Sequence, residues 1–470
     1  MHLYINNQTI HLQGAYFIGA GGIGMSALAR YFNKCGIFTS GYDKTPTPLT
    51  EQLIEEGIDI HFEDDTCLIP SHINEIPKDN LLVVFTPAIP SNHSELNWFK
   101  SLGYSLYKRA EVLGALTNMF KVIAVSGTHG KTSVSTMISH IFNHSGIQIN
   151  AFLGGISKNY DSNLILCDNP TDASFAIAEA DEYDRSFLQL SPYTAVVTAI
   201  DPDHLDIYKD INDIRKTFEE FINKIDKQGN LVIKEGLKVN KSNFPNKVYT
   251  YSQTRGSDFY PEDIENKPFE SKFTVVTPFG KVKDLTIQVP GSVNIENAVA
   301  ALAVSMIHGI PEDLIRNALA TWKGVKRRFD YIVNTPDVVY IDDYAHHPEE
   351  IKSLLLSVRS IYKDKKITGI FQPHLFSRTR DMADDFAKSL SLLDELILLD
   401  IYPAREEPIP GITSKIIFDK VNVGNKLLVH KNELLDHIND FDKGILLTIG
   451  AGDISDMVEA IRKKVLRIES

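Results

Sequence analysis

Gly127-Thr128-His129-Gly130-Lys131-Thr132-Ser133 packs more usable chemistry into fewer positions than any other segment of this 470-residue chain. It follows an apolar, β-branched run, Val122-Ile123-Ala124-Val125-Ser126, and precedes a helical stretch. Glycines let a backbone curl until its N–H groups face phosphate oxygens, and the next helix N-terminus adds favourable dipole charge. Lys131 then has the reach for β- and γ-phosphates, and the Thr132 hydroxyl is a candidate Mg²⁺ ligand. The long pattern GxxxxGK[ST] is not met, because Val125 stands where its first glycine belongs; the match is a shorter G-x-x-G-K-T. The segment predicts ATP binding. The plainer reading is a glycine-rich strand–helix turn with a surface lysine.

A second glycine loop, Gly19-Ala20-Gly21-Gly22-Ile23-Gly24, matches GxGxxG, and Asp43 lies about twenty residues on, at the end of the next predicted strand. Taken alone it is a dinucleotide fingerprint with its ribose-binding acid. Paired with a kinase-like loop, a second nucleotide-diphosphate ligand such as a UDP-sugar explains it better than NAD. A tight turn for helix–strand packing alone is the plain alternative.

Acidic and histidine clusters close several predicted strands, where α/β ligand sites gather. Glu179-Ala180-Asp181-Glu182-Tyr183-Asp184 follows FAIAEA, and Asp201-Pro202-Asp203-His204-Leu205-Asp206 follows TAVVTAI. Carboxylates there can hold Mg²⁺ beside ATP, and the two strands should be neighbours. Each cluster alone reads equally as a solvated loop. Asp342-Asp343-Tyr344-Ala345-His346-His347-Pro348 ends VVYIDD, without the further ligands zinc would need. Arg378 and Arg380, after Gln372-Pro373-His374, suit a carboxylate or phosphate, or simply mark a basic helix start. Arg327-Arg328 falls at a segment junction, placed to touch a nucleotide.

Three stretches must position these groups: residues 1–119, 120–320 and 321–470. Each opens on a strand and alternates strands with helices, so an α/β chain with parallel sheets is expected. Within the second, LVIKEG, VYTYS, FTVVTPFG and KVKDLTIQVPG look like antiparallel hairpin material. A net charge of −13 argues against a nucleic-acid partner. Three scattered cysteines argue against a disulfide framework. The N-terminus lacks a signal-peptide pattern, and no apolar run reaches the roughly 18–20 residues of a membrane span. A cytoplasmic protein without membrane insertion is expected.

Together the segments GAGGIGMSALARYF, SGTHGKTS, EADEYDRSF, DPDHLD, GVKRRFD, DDYAHHPEEI and FQPHLFSRTRD resemble the Mur ligase family, in order and over essentially the whole chain. The resemblance implies a Rossmann-like N-terminal domain, a central P-loop ATPase-like domain with an antiparallel subsheet, and a Rossmann-like C-terminal domain. It implies ATP-dependent ligation of L-alanine to the lactyl carboxylate of UDP-N-acetylmuramate through an acyl phosphate, by a monomer or weak homodimer. Gly19, Gly21, Gly22, Ile23, Gly24, Met25, Asp43, Thr86 and Arg109 would hold the UDP-sugar. Residues 127–133 with Asn294, Asn297, Arg328 and Asp343 would hold ATP. Thr132, Glu179 and His204 would hold two Mg²⁺ ions. Lys131, Glu179, His204, His346 and Arg378 would be catalytic, and Tyr344, His346, Arg378 and Arg380 would line the amino-acid and product end.

The chain departs from the family at several positions. Val293 stands where many members have His beside adenine, and Leu375 where many have Arg. Thr86-Pro87-Ala88 replaces Ser-Thr-Ala near the diphosphate. The carbamylated lysine of related ligases aligns near Glu219, so no modified lysine is assigned. Two rivals are a murein-tripeptide-recycling ligase of the same family and an NAD-dependent oxidoreductase. The GAGGIGM loop disfavours the first, and the second leaves GTHGKTS and DPDHLD unexplained.

Overall fold

The computed structural model describes residues 1–202, 207–240, 244, 247–404, 406–438 and 441–468. They fall into two compact units. The first comprises Met1–Asp263, Phe273–Leu285 and Glu296–Trp322, and the second Ile264–Lys272, Thr286–Ile295 and Lys323–Ser470.

In the first unit a five-stranded sheet runs in the order Asp59–His61, Phe38–Tyr42, Gly14–Ile18, Leu81–Phe85, Leu106–Lys108. Every pairing is parallel. Gly14–Ile18 is buried along its whole length, as a central strand covered on both faces must be. Strand order reverses between it and Leu81–Phe85, the kind of place where open α/β sheets bind ligands. Gly19 and Thr86 stand there: a Cβ on Gly19 would lie 2.5 Å from Thr86 Cγ2.

A seven-stranded sheet has the order Ser162–Leu166, Ile149–Ser157, Phe175–Ala180, Lys121–Ser126, Thr194–Val197, Asn230–Lys234, Lys247–Tyr251. Its pairings are parallel except at the Ser162–Leu166 edge. This corrects two expectations. LVIKEG and VYTYS are not a hairpin; they extend the sheet in parallel. Residues 235–246 separate them, a stretch that suits a crossover better than the short turn a hairpin needs. Nor are the two acidic strands adjacent: they flank the Lys121–Ser126 strand, one on each side. Strand composition does not encode sheet order, so the sequence left both points open to error. A further three-stranded sheet, Tyr260–Lys267, Glu270–Thr277 and Gly280–Ile287, is joined by two-residue connections of hairpin length.

One hydrophobic core serves both α/β segments of this unit, taking in Phe17 and Phe32 with Phe187, Phe218 and Phe221. The Tyr31 and Phe152 rings meet at 5.7 Å. Arg30, buried, donates to Asn163 Oδ1 (2.6 Å), and Asn163 Nδ2 donates to the Ile23 carbonyl (2.6 Å). The helix after the first glycine loop is thereby fixed to the seven-stranded sheet.

The second unit holds a six-stranded sheet in the order Asp330–Asn334, Val338–Asp343, Gly444–Ile449, Ile367–Phe371, Glu395–Leu399, Asn425–Val429. It is parallel apart from Asp330–Asn334. No helix among the described residues is long and apolar enough to cross a membrane.

Candidate active site

The Lys121–Ser126 strand delivers the phosphate loop to the C-terminal edge of the seven-stranded sheet, and the helix Lys131–His144 leaves it. Two loop positions demand glycine. Gly127 (φ +133°) has no room for a Cβ, which would sit 2.2 Å from Thr198 Oγ1, and Gly130 (φ +81°) turns the chain into the helix. Thr198 Oγ1 donates to the His129 carbonyl and, at 3.1 Å, to that of Ser126, bracing the loop from the next strand.

Lys131 Nζ donates to the Gly127 carbonyl (2.8 Å) and to both carboxylate oxygens of Glu182 (3.0 and 2.9 Å). Burial opposes its charge, but Glu182, Asp181 and Glu179 outweigh burial and hold its pKa above the ordinary lysine value. Thr132 Oγ1 donates to Glu179 Oε2 at 2.9 Å. Space for that carboxylate exists because residue 154 is glycine: a Cβ there would fall 2.0 Å from Glu179 Oε2. From the opposite flank, Asp201 Oδ2 lies 3.4 Å from Thr128 Oγ1 and 3.5 Å from His129 Nε2. Ser133 is buried in the first helical turn. Asn297 Oδ1 lies 3.1 Å from where a Gly130 Cβ would stand.

The Gly19–Gly24 loop is held by its strand partner: Gly19 and Ala20 N–H both donate to the Tyr42 carbonyl (2.8 and 2.9 Å). Asp43 does local work, accepting from Gly21 N–H at 2.7 Å. The helix Ile23–Lys34 starts at Gly22 with no side-chain cap, so its first turn offers N–H groups to an anion. Met25 is buried beneath. Gly24 faces Arg109, whose Nη1 lies 2.8 Å from where a Cβ would be. Arg109 also lines a small cavity with Glu179, Asp181 and Ser186.

In the second unit, Asp343 accepts from Phe329 N–H (2.7 Å) and Ala345 N–H (2.8 Å). Burial pushes its pKa up to about 6, against the pull of Arg328 and these two bonds. The guanidinium carbons of Arg327 and Arg328 lie 5.0 and 4.9 Å from the Tyr344 ring centre. His346 Nδ1 is 3.0 Å from the Tyr344 carbonyl, and its ring lies 5.9 Å from that of His374, itself stacked on Tyr402. Arg378 is buried, whereas Arg380 is half-exposed and paired with Asp381 at 2.6 Å. Asn294 Nδ2 donates to the Pro290 carbonyl (3.2 Å).

The structure thus brings Lys131, Thr132 and Glu179 together, with Arg109 bordering Glu179. His204 lies outside the described residues. Sequence reasoning noted Glu182 only as one acid in a cluster and missed Gly154 and Thr198. Glu182 carried a signal in its spacing, three residues from Glu179; Gly154 carried none.

Three sequence profiles match successive parts of the chain: "Mur ligase family, catalytic domain" over residues 15–121, "Mur ligase middle domain" over 125–305, and "Mur ligase, glutamate ligase domain" over 327–460. The UDP-N-acetylmuramate–L-alanine ligase of Parabacteroides distasonis is 51% identical, over 95% of this chain and 96% of its own. That of Flavobacterium psychrophilum is 49% identical, over 98% and 99%. Among solved structures, the UDP-N-acetylmuramate-alanine ligase of Thermotoga maritima superposes with a TM-score of 0.81 at 26% identity, covering 97% of this chain and all (100%) of that one. A murein peptide ligase from Psychrobacter arcticus gives 0.67 at 22%, covering 97% and 98%, a likeness of fold. The parallel sheets, the loop that ends in Lys131 and Thr132, and this full-length similarity agree with one another: the chain belongs to the Mur ligase family and has its three-domain α/β architecture.

Proposed function

We propose that this protein joins L-alanine to the lactyl carboxylate of UDP-N-acetylmuramate, cleaving ATP to ADP and phosphate. The observation that carries the reading is the meeting of Lys131, Thr132 and Glu179 at the end of a phosphate loop, in a chain about half identical to ligases of that name. Residues 1–119 take the UDP-sugar, residues 120–320 take ATP, and residues 321–470 take the amino acid.

A carboxylate is a poor acyl donor, because direct attack would have to expel oxide. One of its oxygens therefore attacks the γ-phosphorus, the bond to the β-phosphate oxygen breaks, and ADP leaves. The amine of L-alanine adds to the acyl-phosphate carbonyl and loses a proton, and inorganic phosphate departs. The protein's part is positioning and charge neutralisation. Lys131 faces the β- and γ-phosphates, loop N–H groups cradle them, and Asn297 borders the loop. Arg109, over Gly24 and beside Glu179, brings positive charge to where the sugar's diphosphate and carboxylate must pass. Arg378 and His346, with Tyr344, receive the amino acid; Arg328 and Asp343 serve the nucleotide.

The Thr132 hydroxyl and Glu179 carboxylate, 2.9 Å apart, are hard oxygen donors of the kind Mg²⁺ selects. They fit one ion, and His204 is assigned to a second; bound Mg²⁺ would offset phosphate charge. Three free cysteines suit a reducing, cytoplasmic setting, and we assign a monomer or weak homodimer.

The test is phosphate release from ATP with each substrate omitted in turn. Release that needs both UDP-N-acetylmuramate and L-alanine supports the reading. Preference for a murein tripeptide over L-alanine would replace it with recycling.

A further inference from the structure

Lys131 is not held by its own loop alone. Glu182, only 2% exposed, presents both carboxylate oxygens to the ammonium at 2.9 and 3.0 Å. Its backbone is pinned: the buried Tyr208 hydroxyl donates to the Glu182 carbonyl at 2.5 Å, as does Arg185 N–H at 3.0 Å. Asp184 and Arg185, which follow it, both sit in the left-handed region (φ +52° and +54°). For residues with side chains, that conformation persists only where surroundings impose it. Here Lys108 pairs with Asp184 at 3.0 Å, and Arg185 pairs with Asp213 at 2.9 Å. A strained turn, tied at both residues, thus aims a buried carboxylate at the loop lysine.

We infer that Glu182 is a positioning residue for Lys131: it fixes the ammonium over the phosphate loop, and a bound triphosphate shares that ammonium with it. This deepens the ATP-binding reading of the loop and rests on it. An ammonium has three donors. The Gly127 carbonyl and the two Glu182 oxygens engage all three, so a bound phosphate takes over one of the two that Glu182 holds. The Glu182 charge steers the side chain and also repels the incoming phosphates. Removing the charge while keeping an acceptor therefore separates from removing the group altogether.

The wild-type enzyme is first assayed with ATP, UDP-N-acetylmuramate and L-alanine; failure there removes the reading of the loop, not this inference. Glu182→Gln keeps an acceptor and loses the charge. Its KM for ATP should fall about five-fold, with kcat within about three-fold of wild type, the scale of one charge-assisted contact. Glu182→Ala releases Lys131, and kcat should fall at least about ten-fold, the scale of a misplaced catalytic group. Glu182→Asp should recover part of that loss. Melting curves on the near-isosteric Gln variant separate misfolding from mispositioning. An unchanged KM and kcat in Glu182→Gln would overturn the inference, as would equal losses in the Gln and Ala variants with no recovery in Asp.

Discussion

Replacing Gly154 by alanine should damage catalysis while sparing the fold, and the structure sets the size of the effect. Gly154 lies on an exposed stretch of the Ile149–Ser157 strand and is not among the positive-φ glycines. Alanine at such a site should leave stability unchanged or raise it by up to about 1 kcal/mol, since glycine weakens strands. The new methyl group would nevertheless fall 2.0, 2.4 and 2.7 Å from Oε2, Cδ and Oε1 of Glu179. Ordinary contact begins near 3.4 Å, so the carboxylate must retreat by about 3.4 − 2.0 = 1.4 Å. Its 2.9 Å bond from Thr132 would then stretch toward 4 Å, beyond hydrogen-bond reach. A displacement of about 1 Å in a positioned group costs about 10²-fold in rate, equivalent to about 2.7 kcal/mol. Phosphate release under saturating substrates reads the rate, and a melting curve reads the fold. Glu179→Asp in the Gly154→Ala background withdraws the carboxylate by one methylene and should recover part of the rate. Gly154→Ala retaining more than half the wild-type rate, with an unchanged melting curve, would refute the assignment of Glu179 to the reaction.

Lys131→Ala should abolish phosphate release, and tight ATP binding with it, measured by calorimetry; retained turnover would remove the loop from the mechanism. Arg378→Lys should raise KM for L-alanine at least about ten-fold and leave KM for ATP within two-fold, because a buried forked cation is replaced by a point charge; an equal rise in both would refute that role. Asn163→Ala leaves the buried Arg30 guanidinium short of an acceptor and unties the Ile23 carbonyl. It should destabilise the fold by about 2–3 kcal/mol and raise KM for the UDP-sugar more than for ATP, and an unchanged melting temperature would contradict the first part. Burial lowers the pKa of His140 and His308 to about 4, with help from His144 and Lys121 respectively. Folded values below the unfolded 6.5 mean that the unfolded chain binds more protons in this window. Stability is therefore full above pH 6.5 and is lost as pH falls toward 4, by at most about 3 kcal/mol per histidine. Denaturant titrations of wild type and His308→Gln should show a shallower acid slope in the variant, and identical slopes would count against it.

What the sequence revealed was what is contiguous. A phosphate loop needs glycines, a lysine and a hydroxyl within seven positions between a strand and a helix, so its function is written in one stretch of chain. The same contiguity makes the first loop and the strand-end acids candidates. Partnerships across the sheet were not legible. Gly154 stands beside Glu179 only because Ile149–Ser157 and Phe175–Ala180 pair in parallel with Phe152 opposite Ala178. Nothing local to FLGGIS announces that register. The residue types around Asp43 fit a ribose contact, but not the bond that its carboxylate accepts from Gly21, which arises because the strand end that carries it returns to the loop. The error over Asn230–Lys234 and Lys247–Tyr251 has the same origin: alternation and β-branching specify a strand, not the direction of its neighbour.

This difference also bears on which substitutions the site tolerates. The backbone positions of Lys131 and Thr132 are set by the loop itself, and a change there should act directly on phosphate binding. Glu179 and Glu182 are fixed by other elements: a strand without a side chain at 154, a strained turn at 184–185, and a tyrosine at 208. Gly154 and Tyr208 lie outside the segments that the sequence singles out, and each of the three supports sets the aim of a carboxylate at the lysine or the hydroxyl beside it. Variation at 154, 184 or 208 should therefore alter the reaction without altering any residue that touches the phosphates. Variation at equally exposed strand positions whose Cβ meets no acidic group should not.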